Sequence, residues 1–196
     1  MMENMLIKKA QKGDSHAFEV LIESHFKQIY NIALRMTNNP DDAADMTQEV
    51  MLKLFRNIGS FSGNSKFSTW VYRVATNTCL DELKKMKRKT AVSLQSEIET
   101  DDGGYTMEIE DTSLTPEQSL EQIELKSVVQ KAIAMLSDDH KAIIILRDIR
   151  GFSYDEIARI TGTTEGTVKS RLSRARAQLK NIIEKNFGFD GTYFNK

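Results

Sequence analysis

The sequence predicts an all-α protein: two small helical domains joined by a flexible acidic linker, the second containing a helix-turn-helix. Three observations predict it. Apolar residues recur at three- and four-residue steps at both ends of the chain but not through its middle. Charge divides into three blocks. A short stretch near the C-terminus joins a helix-capping pattern, a glycine turn and a basic helix. A length of 196 residues suits one large domain or two small ones, and the pattern favours two, with expected bounds of 1–90 and 115–186 around a linker at 91–114, and a tail at 187–196.

The elements follow in order. Asp14 can cap a helix whose residues Phe18, Leu21, Ile22, Ile29, Ile32 and Ala33 share one face. Asn39-Pro40-Asp41-Asp42 is a start signal, with a capping amide, a proline in the first turn and carboxylates facing the positive helix end. The helix it opens places Ala43, Met46, Val50, Met51, Leu54, Phe55 and Ile58 inward. Residues 59–66, GSFSGNSK, form a loop by composition. A third helix starts near Phe67, buries Val71, Val74, Ala75, Thr78 and Leu83, and runs into the cluster Lys84, Lys85, Lys87, Arg88 and Lys89.

Residues 90–114 show no sustained period and contain Gly103-Gly104, which predicts a flexible linker. Thr115 and Gln118 are spaced as a capping box that restarts helix. Val128, Val129, Ala132, Ile133 and Leu136 form the next buried stripe, and Ser137 can cap the helix after it. Ala142 to Leu146 is apolar all round, as in the central helix of a small bundle, and Gly151 closes it. Ser153 and Glu156 form a second capping box, opening a short helix with Ile157, Ala158 and Ile160 inward. Thr161-Gly162-Thr163 supplies a tight turn. The helix beyond it turns Val168, Leu172, Ala175 and Leu179 inward, and Thr167, Ser170, Arg171 and Arg174 outward.

The net charge of −1 conceals an uneven distribution. Residues 1–90 hold 14 basic and 10 acidic side chains, a balance of +4. Residues 91–126 hold 1 and 10, a balance of −9, and residues 127–196 hold 12 and 8, again +4. Two basic blocks flanking an acidic connector suit polyanion binding. The single cysteine, Cys79, cannot form an internal disulfide, so a reducing, cytoplasmic location is expected. No apolar run approaches a membrane span, and no membrane insertion of its own is expected. His16, His25 and His140 lack metal-ligand spacing, Cys79 has no histidine nearby in sequence, and Gly103-Gly104 lacks the lysine and helix of a phosphate loop. The expectation is therefore no catalysis, no cofactor and no metal.

Three constellations carry chemistry. Short helix, glycine turn and second helix with a basic polar face form a helix-turn-helix, whose arginines can fork onto guanine while Thr, Ser and Lys169 suit phosphates or base edges. The bland alternative is a solvated helical hairpin. On the third helix a stripe reads Trp70, Arg73, Asn77, Asp81 and Lys84. Aromatic stacking and amide or carboxylate hydrogen bonds in one line suit unpaired bases. The loop before it, with Ser60, Phe61, Asn64 and Ser65, could pocket a base turned out of its stack. The alternative there is that Trp70 belongs to the core. The helix after Asn39 presents Asp45, Gln48, Glu49, Leu52 and Arg56 outward, and a leucine among acids and an amide looks like a docking face for a basic helix. A single exposed leucine is also common.

Three segments together resemble the extracytoplasmic-function (ECF) sigma factors of the sigma-70 superfamily: DDAADMTQEVMLKLF (41–55), KFSTWVYRVATNTCLDELKK (66–85) and GFSYDEIARITGTTEGTVKSRLSRARAQL (151–179). The resemblance covers nearly the whole chain apart from the linker and the last ten or so residues. It implies a factor that binds RNA polymerase core and directs promoter recognition, promoter melting and transcription initiation. Asp45, Gln48, Glu49, Leu52 and Arg56 would dock on the clamp helices of the largest subunit, and the flap of the second largest would be a further contact. Ser60, Phe61, Asn64, Lys66, Phe67, Thr69, Trp70, Arg73, Asn77, Asp81, Lys84 and Lys85 would bind the minus-ten element. Ser153, Thr164, Thr167, Lys169, Ser170, Arg171 and Arg174 would bind the minus-thirty-five duplex. The linker would thread toward the polymerase cleft, and an anti-sigma factor would be a further partner.

Two departures stand out: Ser137-Asp138-Asp139 where relatives usually have a proline, and an aromatic tail (Phe187, Phe189, Tyr193, Phe194) with no family role. The competing reading is a stand-alone helix-turn-helix repressor or activator, which leaves the Trp70 stripe and the Leu52 face without a task.

Overall fold

The computed structural model describes residues 2–93 and 116–188, and every regular element among them is helical. The acidic connector beyond Ser93, the Thr115 half of the expected capping box and the tail from Phe189 lie outside the described residues.

In the first region, α1 (Met2–Gln11) is followed by α2 (Ser15–Thr37), which Asp14 caps by accepting a hydrogen bond from the Ala17 amide at 2.9 Å. All six residues expected on its inner face are buried. Asn38 ends α2 in the left-handed region, and Asn39 then caps α3 (Pro40–Asn57) by accepting from the amides of Asp41 and Asp42. Ala43, Met46, Val50 and Leu54 point inward on α3. Phe55 does not: it is 45% exposed, because one residue past Leu54 the helix has turned 100° off the buried stripe. Its ring stands edge-on to Phe18 at the rim instead, with centroids 5.1 Å apart. A single 3-10 turn (Ile58–Ser60) leads into the loop and then α4 (Phe67–Ser93).

Helix α4 buries two faces. Phe67, Trp70, Val71 and Ala75 pack on α1–α3, while Tyr72, Cys79 and Leu83 pack on the second region. Burial pushes the Cys79 thiol up to about 12, so it behaves as an apolar filler.

The second region holds α5 (Pro116–Ala134), α6 (Asp138–Ile144) and a π turn (Ile145–Ile149). After them come α7 (Tyr154–Thr161) and α8 (Glu165–Phe187). Ser137 occupies the N-cap of α6 as expected, but its side chain makes no capping hydrogen bond. Asp138 and Asp139 face the positive helix end instead. Ala142 to Leu146 are all buried. Gly151 ends this hydrophobic rod at φ +74°, a conformation other residues adopt only with strain.

The capping box of α7 closes both ways. Ser153 Oγ accepts from the Glu156 amide at 3.2 Å, and the Glu156 carboxylate accepts from the Ser153 amide at 2.9 Å. That backbone hydrogen bond is the chief cause holding the Glu156 carboxyl below its ordinary value. Ser153→Ala is expected to cost about 1 kcal/mol, read from urea unfolding at pH 7. Because the folded carboxyl titrates lower than the unfolded one, its contribution is present above the ordinary glutamate value. It disappears as pH falls through the folded value. The stability gap between the wild type and Glu156→Ala should therefore shrink as pH drops below about 4.

The two regions share one core. Ile32, Met36, Tyr72 and Leu83 of the first lie in the same buried cluster as Ile133, Ile143, Leu146 and Leu172 of the second. Polar contacts cross the same boundary. Lys141 Nζ donates to the Met36 carbonyl at 2.9 Å, at the negative end of α2, and burial lowers its ammonium from the ordinary value. Lys87 pairs with Asp138 at 2.6 Å. The Tyr72 ring stands edge-on to Phe152, with centroids 4.7 Å apart. Its hydroxyl accepts from Arg150 and donates to Gln28 Oε1 at 3.0 Å.

Candidate nucleic-acid interface and docking face

The outer face of α3 carries Asp45, Gln48 and Arg56 in the open, Glu49 half-buried and Leu52 48% exposed. The leucine is not alone. Phe26 of α2, 51% exposed, and Phe55 border the same groove between α2 and α3, with Met51, Thr47 and Phe18 beneath. Sequence reading missed Phe26, although it lies between the inward residues Ile22 and Ile29 and off their stripe. The groove is largely apolar, with Glu19 of α2 and Gln48 of α3 among its lining and Asp45 exposed on the same outer face of α3.

On α4 the side chains of Arg73, Asn77, Asp81 and Lys84 are all exposed along one line. Lys85 is exposed too, but it donates to Glu82 at 2.6 Å, and that hydrogen bond holds its ammonium above the ordinary value. Ser60, Asn64 and Lys66 project from the loop, and Phe61 is half-buried. Three expected contact residues are not on the surface. Phe67, Thr69 and Trp70 are buried, Trp70 to 4% exposure. The physical reason is an aromatic cluster: Phe67 stacks on Trp70 with centroids 5.6 Å apart, and Phe61 folds back from the loop against both. Burying two adjacent rings against a third removes more apolar area from water than leaving an indole free to stack on a base. Trp70 is thus the floor of the loop rather than its reading surface.

The helix-turn-helix has the expected form. Gly162 at φ +65° ends α7, and Thr164 caps α8 by accepting from the Thr167 amide at 3.3 Å. Ser153 and Thr164 both spend their hydroxyls on caps, which orient α7 and α8. Buried Ile157 and Ile160 of α7 share a core cluster with Val168, Leu172 and Ala175 of α8. That leaves Lys169, Ser170 and Arg174 exposed, with Thr167 and Arg171 half-exposed beside them. Arg174 Nε donates to the Ser170 carbonyl at 3.3 Å, and the Lys169 ammonium lies 5.5 Å from the Tyr154 ring centre. Arg171 makes no hydrogen bond or ion pair among the described residues, so its fork is available to an outside acceptor. Arg176, outside the expected set, is held bidentately by Asp148, and this pairing raises its guanidinium and ties α8 to the π turn.

The loop and the helix-turn-helix meet: Lys66 of the loop lies 3.8 Å from Glu156 of the α7 cap. Among the described residues no helix is long and apolar enough to cross a membrane, and no cluster of three His, Cys, Asp or Glu side chains is arranged around a metal-sized gap.

Comparison with known proteins agrees with this geometry. Residues 21–89 match the model of Sigma-70 region 2, and residues 126–179 match that of Sigma-70 region 4. The chain is 36% identical over 185 residues to the ECF RNA polymerase sigma factor SigW of Bacillus subtilis, spanning 93% of this chain and 97% of that protein. It is 34% identical over 187 residues to the ECF RNA polymerase sigma-E factor of Escherichia coli, spanning 94% and 95%. Among solved structures, the sigma factor RpoE in complex with the anti-sigma factor NepR from Bartonella quintana superposes with a TM-score of 0.66. The two share 25% identity over 86% of this chain and 98% of that one.

Proposed function

Because the chain belongs to the extracytoplasmic-function branch of the sigma-70 family, we propose a division of its initiation task among three surfaces. As a member of that family it is a sigma factor, which binds polymerase core and directs promoter recognition and transcription initiation. Asp45, Gln48, Glu49, Leu52 and Arg56, with Phe26 and Phe55, dock on the clamp helices of the largest polymerase subunit. The loop residues Ser60, Asn64 and Lys66 and the α4 line Arg73, Asn77, Asp81 and Lys84 capture the opened minus-ten strand. Thr167, Lys169, Ser170, Arg171 and Arg174 read the minus-thirty-five duplex. The bond-making chemistry of initiation stays with the polymerase, and the protein acts in the cytoplasm. An anti-sigma factor controls it, as in the RpoE complex to which its fold is similar.

One observation carries this reading: a single chain presents an apolar groove bordered by Glu19 and Gln48 and, apart from it, two basic faces of different chemistry. A stand-alone regulator has no use for the groove. Gel shifts on duplex promoter fragments separate the two readings, since the sigma factor should shift DNA only when core is added. Run-off transcription with purified core over a genomic promoter pool should yield discrete starts sharing one promoter motif. A shift of equal affinity without core would sink the proposal.

A further inference from the structure

Gln11 is the last residue of α1 and lies outside the segment matched to Sigma-70 region 2. Its side-chain amide reaches 47 and 50 residues along the chain. Nε2 donates to the Ile58 carbonyl at 3.2 Å and to the Phe61 carbonyl at 2.8 Å. A primary amide has two hydrogens, and here each carbonyl can take one. The two acceptors bracket Ser60 and stand at the mouth of the loop that carries Ser60, Asn64 and Lys66.

The loop has little else to fix it. Phe61 N donates back to the Ile58 carbonyl at 3.1 Å, closing the 3-10 turn, and Ser60 Oγ donates to the Asn57 carbonyl at 2.7 Å. Beyond Phe61, the hydrogen bonds made within the loop amount to Ser65 Oγ donating to the Lys66 carbonyl at 3.3 Å. Gly63 turns the chain at φ +76°, and among the described residues nothing lies within 4 Å of where a side chain would stand there. The loop is anchored below by the Phe61 ring, at its mouth by the Gln11 amide and at its far end by the exposed Lys66–Glu156 pair at 3.8 Å. The donor is itself rigidly held, since Ile7 and Ala10 of α1 lie in the same buried cluster as Ile58 and Trp70.

We infer that Gln11 is a positioning residue for minus-ten recognition. By bridging two carbonyls it sets the path of the Ser60–Lys66 loop, and α1 thereby belongs to the DNA-reading device. The inference rests on the loop's proposed role in holding unpaired bases. Preorganisation is the physical warrant: a loop held in its binding shape avoids the ordering entropy when a base arrives, and the gain is largest for the base that fits that shape.

Holoenzyme assembled from core and full-length protein is titrated with two single-stranded minus-ten oligonucleotides. One is the tightest binder that the wild type selects from a randomised pool; the other differs from it at a single base. Gln11→Ala removes the donors, and Gln11→Glu keeps the shape while setting a carboxylate against both carbonyls. Each should cut the discrimination ratio about fivefold or more, Gln11→Glu the more severely, with core affinity and minus-thirty-five duplex recruitment within twofold of wild type. Asn64→Ala is the reference, a change in the loop itself. Its effect should be non-additive with Gln11→Ala, because both act through one loop.

If Asn64→Ala abolishes discrimination while both Gln11 variants retain it, the positioning role is overturned and the loop reading survives. A lower melting temperature with an unchanged ratio would mark Gln11 as a structural hydrogen bond only and likewise overturn the proposal. Should wild type and Asn64→Ala alike fail to discriminate, the loop reading itself falls, and the role of Gln11 with it.

Discussion

Leu52→Arg is expected to weaken binding to polymerase core by about 30-fold or more, while leaving the melting temperature close to that of the wild type. The size follows from position. Leu52 stands 48% exposed in a groove it shares with Phe26 and Phe55, and central apolar anchors in such grooves are where truncation costs about 2 kcal/mol or more. A guanidinium there would be buried on docking without an acid designed to receive it, and its charge would repel a basic partner helix. The fold should tolerate it, because Leu and Arg have nearly equal helix propensity and the side chain supports no core contact. Phe55→Ala should weaken core binding in the same direction, through loss of apolar area alone. Titration of labelled protein with core, alongside thermal unfolding, reads both quantities. An unchanged affinity for Leu52→Arg would remove α3 from the docking assignment.

Arg171→Ala and Asn77→Ala are expected to fail on different templates. Arg171 presents an unoccupied fork on α8, and losing one bidentate contact to guanine costs about 1–3 kcal/mol, or roughly 5- to 150-fold in affinity. The loss should appear in recruitment of holoenzyme to duplex promoters and should persist when the minus-ten segment is pre-melted. Asn77 lies on the exposed α4 line, and in the proposed role its amide bonds the pairing edge of a base once that base is unpaired. Its replacement should spare first recruitment to duplex, slow opening, and lower selectivity on single-stranded minus-ten oligonucleotides. Identical defects of the two variants on duplex, pre-melted and single-stranded templates would merge the two surfaces into one.

What the sequence made legible is what local chemistry decides. Asp14, Asn39 and Ser153 lie at helix starts because a short side-chain acceptor there meets amides that have no partner within the helix. The helix-turn-helix was legible for the same reason: cap, glycine turn and apolar period all fall within thirty residues. Trp70 was not. Its three- and four-residue spacing to Arg73 and Asn77 is real, but a stripe does not say where the boundary between wet and dry runs across it. That boundary was set by Phe61, which returns from the loop to cover the indole. Phe55 was misplaced through the converse error, since a large aromatic side chain is read as inward until a neighbour fails to cover it, and Phe26 was passed over because an off-stripe position carries no signal of its own. Gln11 and Lys141 act on carbonyls 47 and 105 residues away, and no local pattern encodes such a partner.

The 3.8 Å approach of Lys66 to Glu156 has a consequence for promoter length. A duplex advances 3.4 Å per base pair, so elements centred about 25 base pairs apart lie roughly 85 Å from one another. A compact chain of this size has a radius of gyration of about 16 Å. Hands that touch cannot grip a rod at two points so far apart. On the proposed assignment of the two surfaces, the arrangement described here precedes promoter engagement. With the loop and α8 on those two elements, as proposed, Tyr72 must part from Phe152 and Lys141 must leave the Met36 carbonyl on reaching DNA.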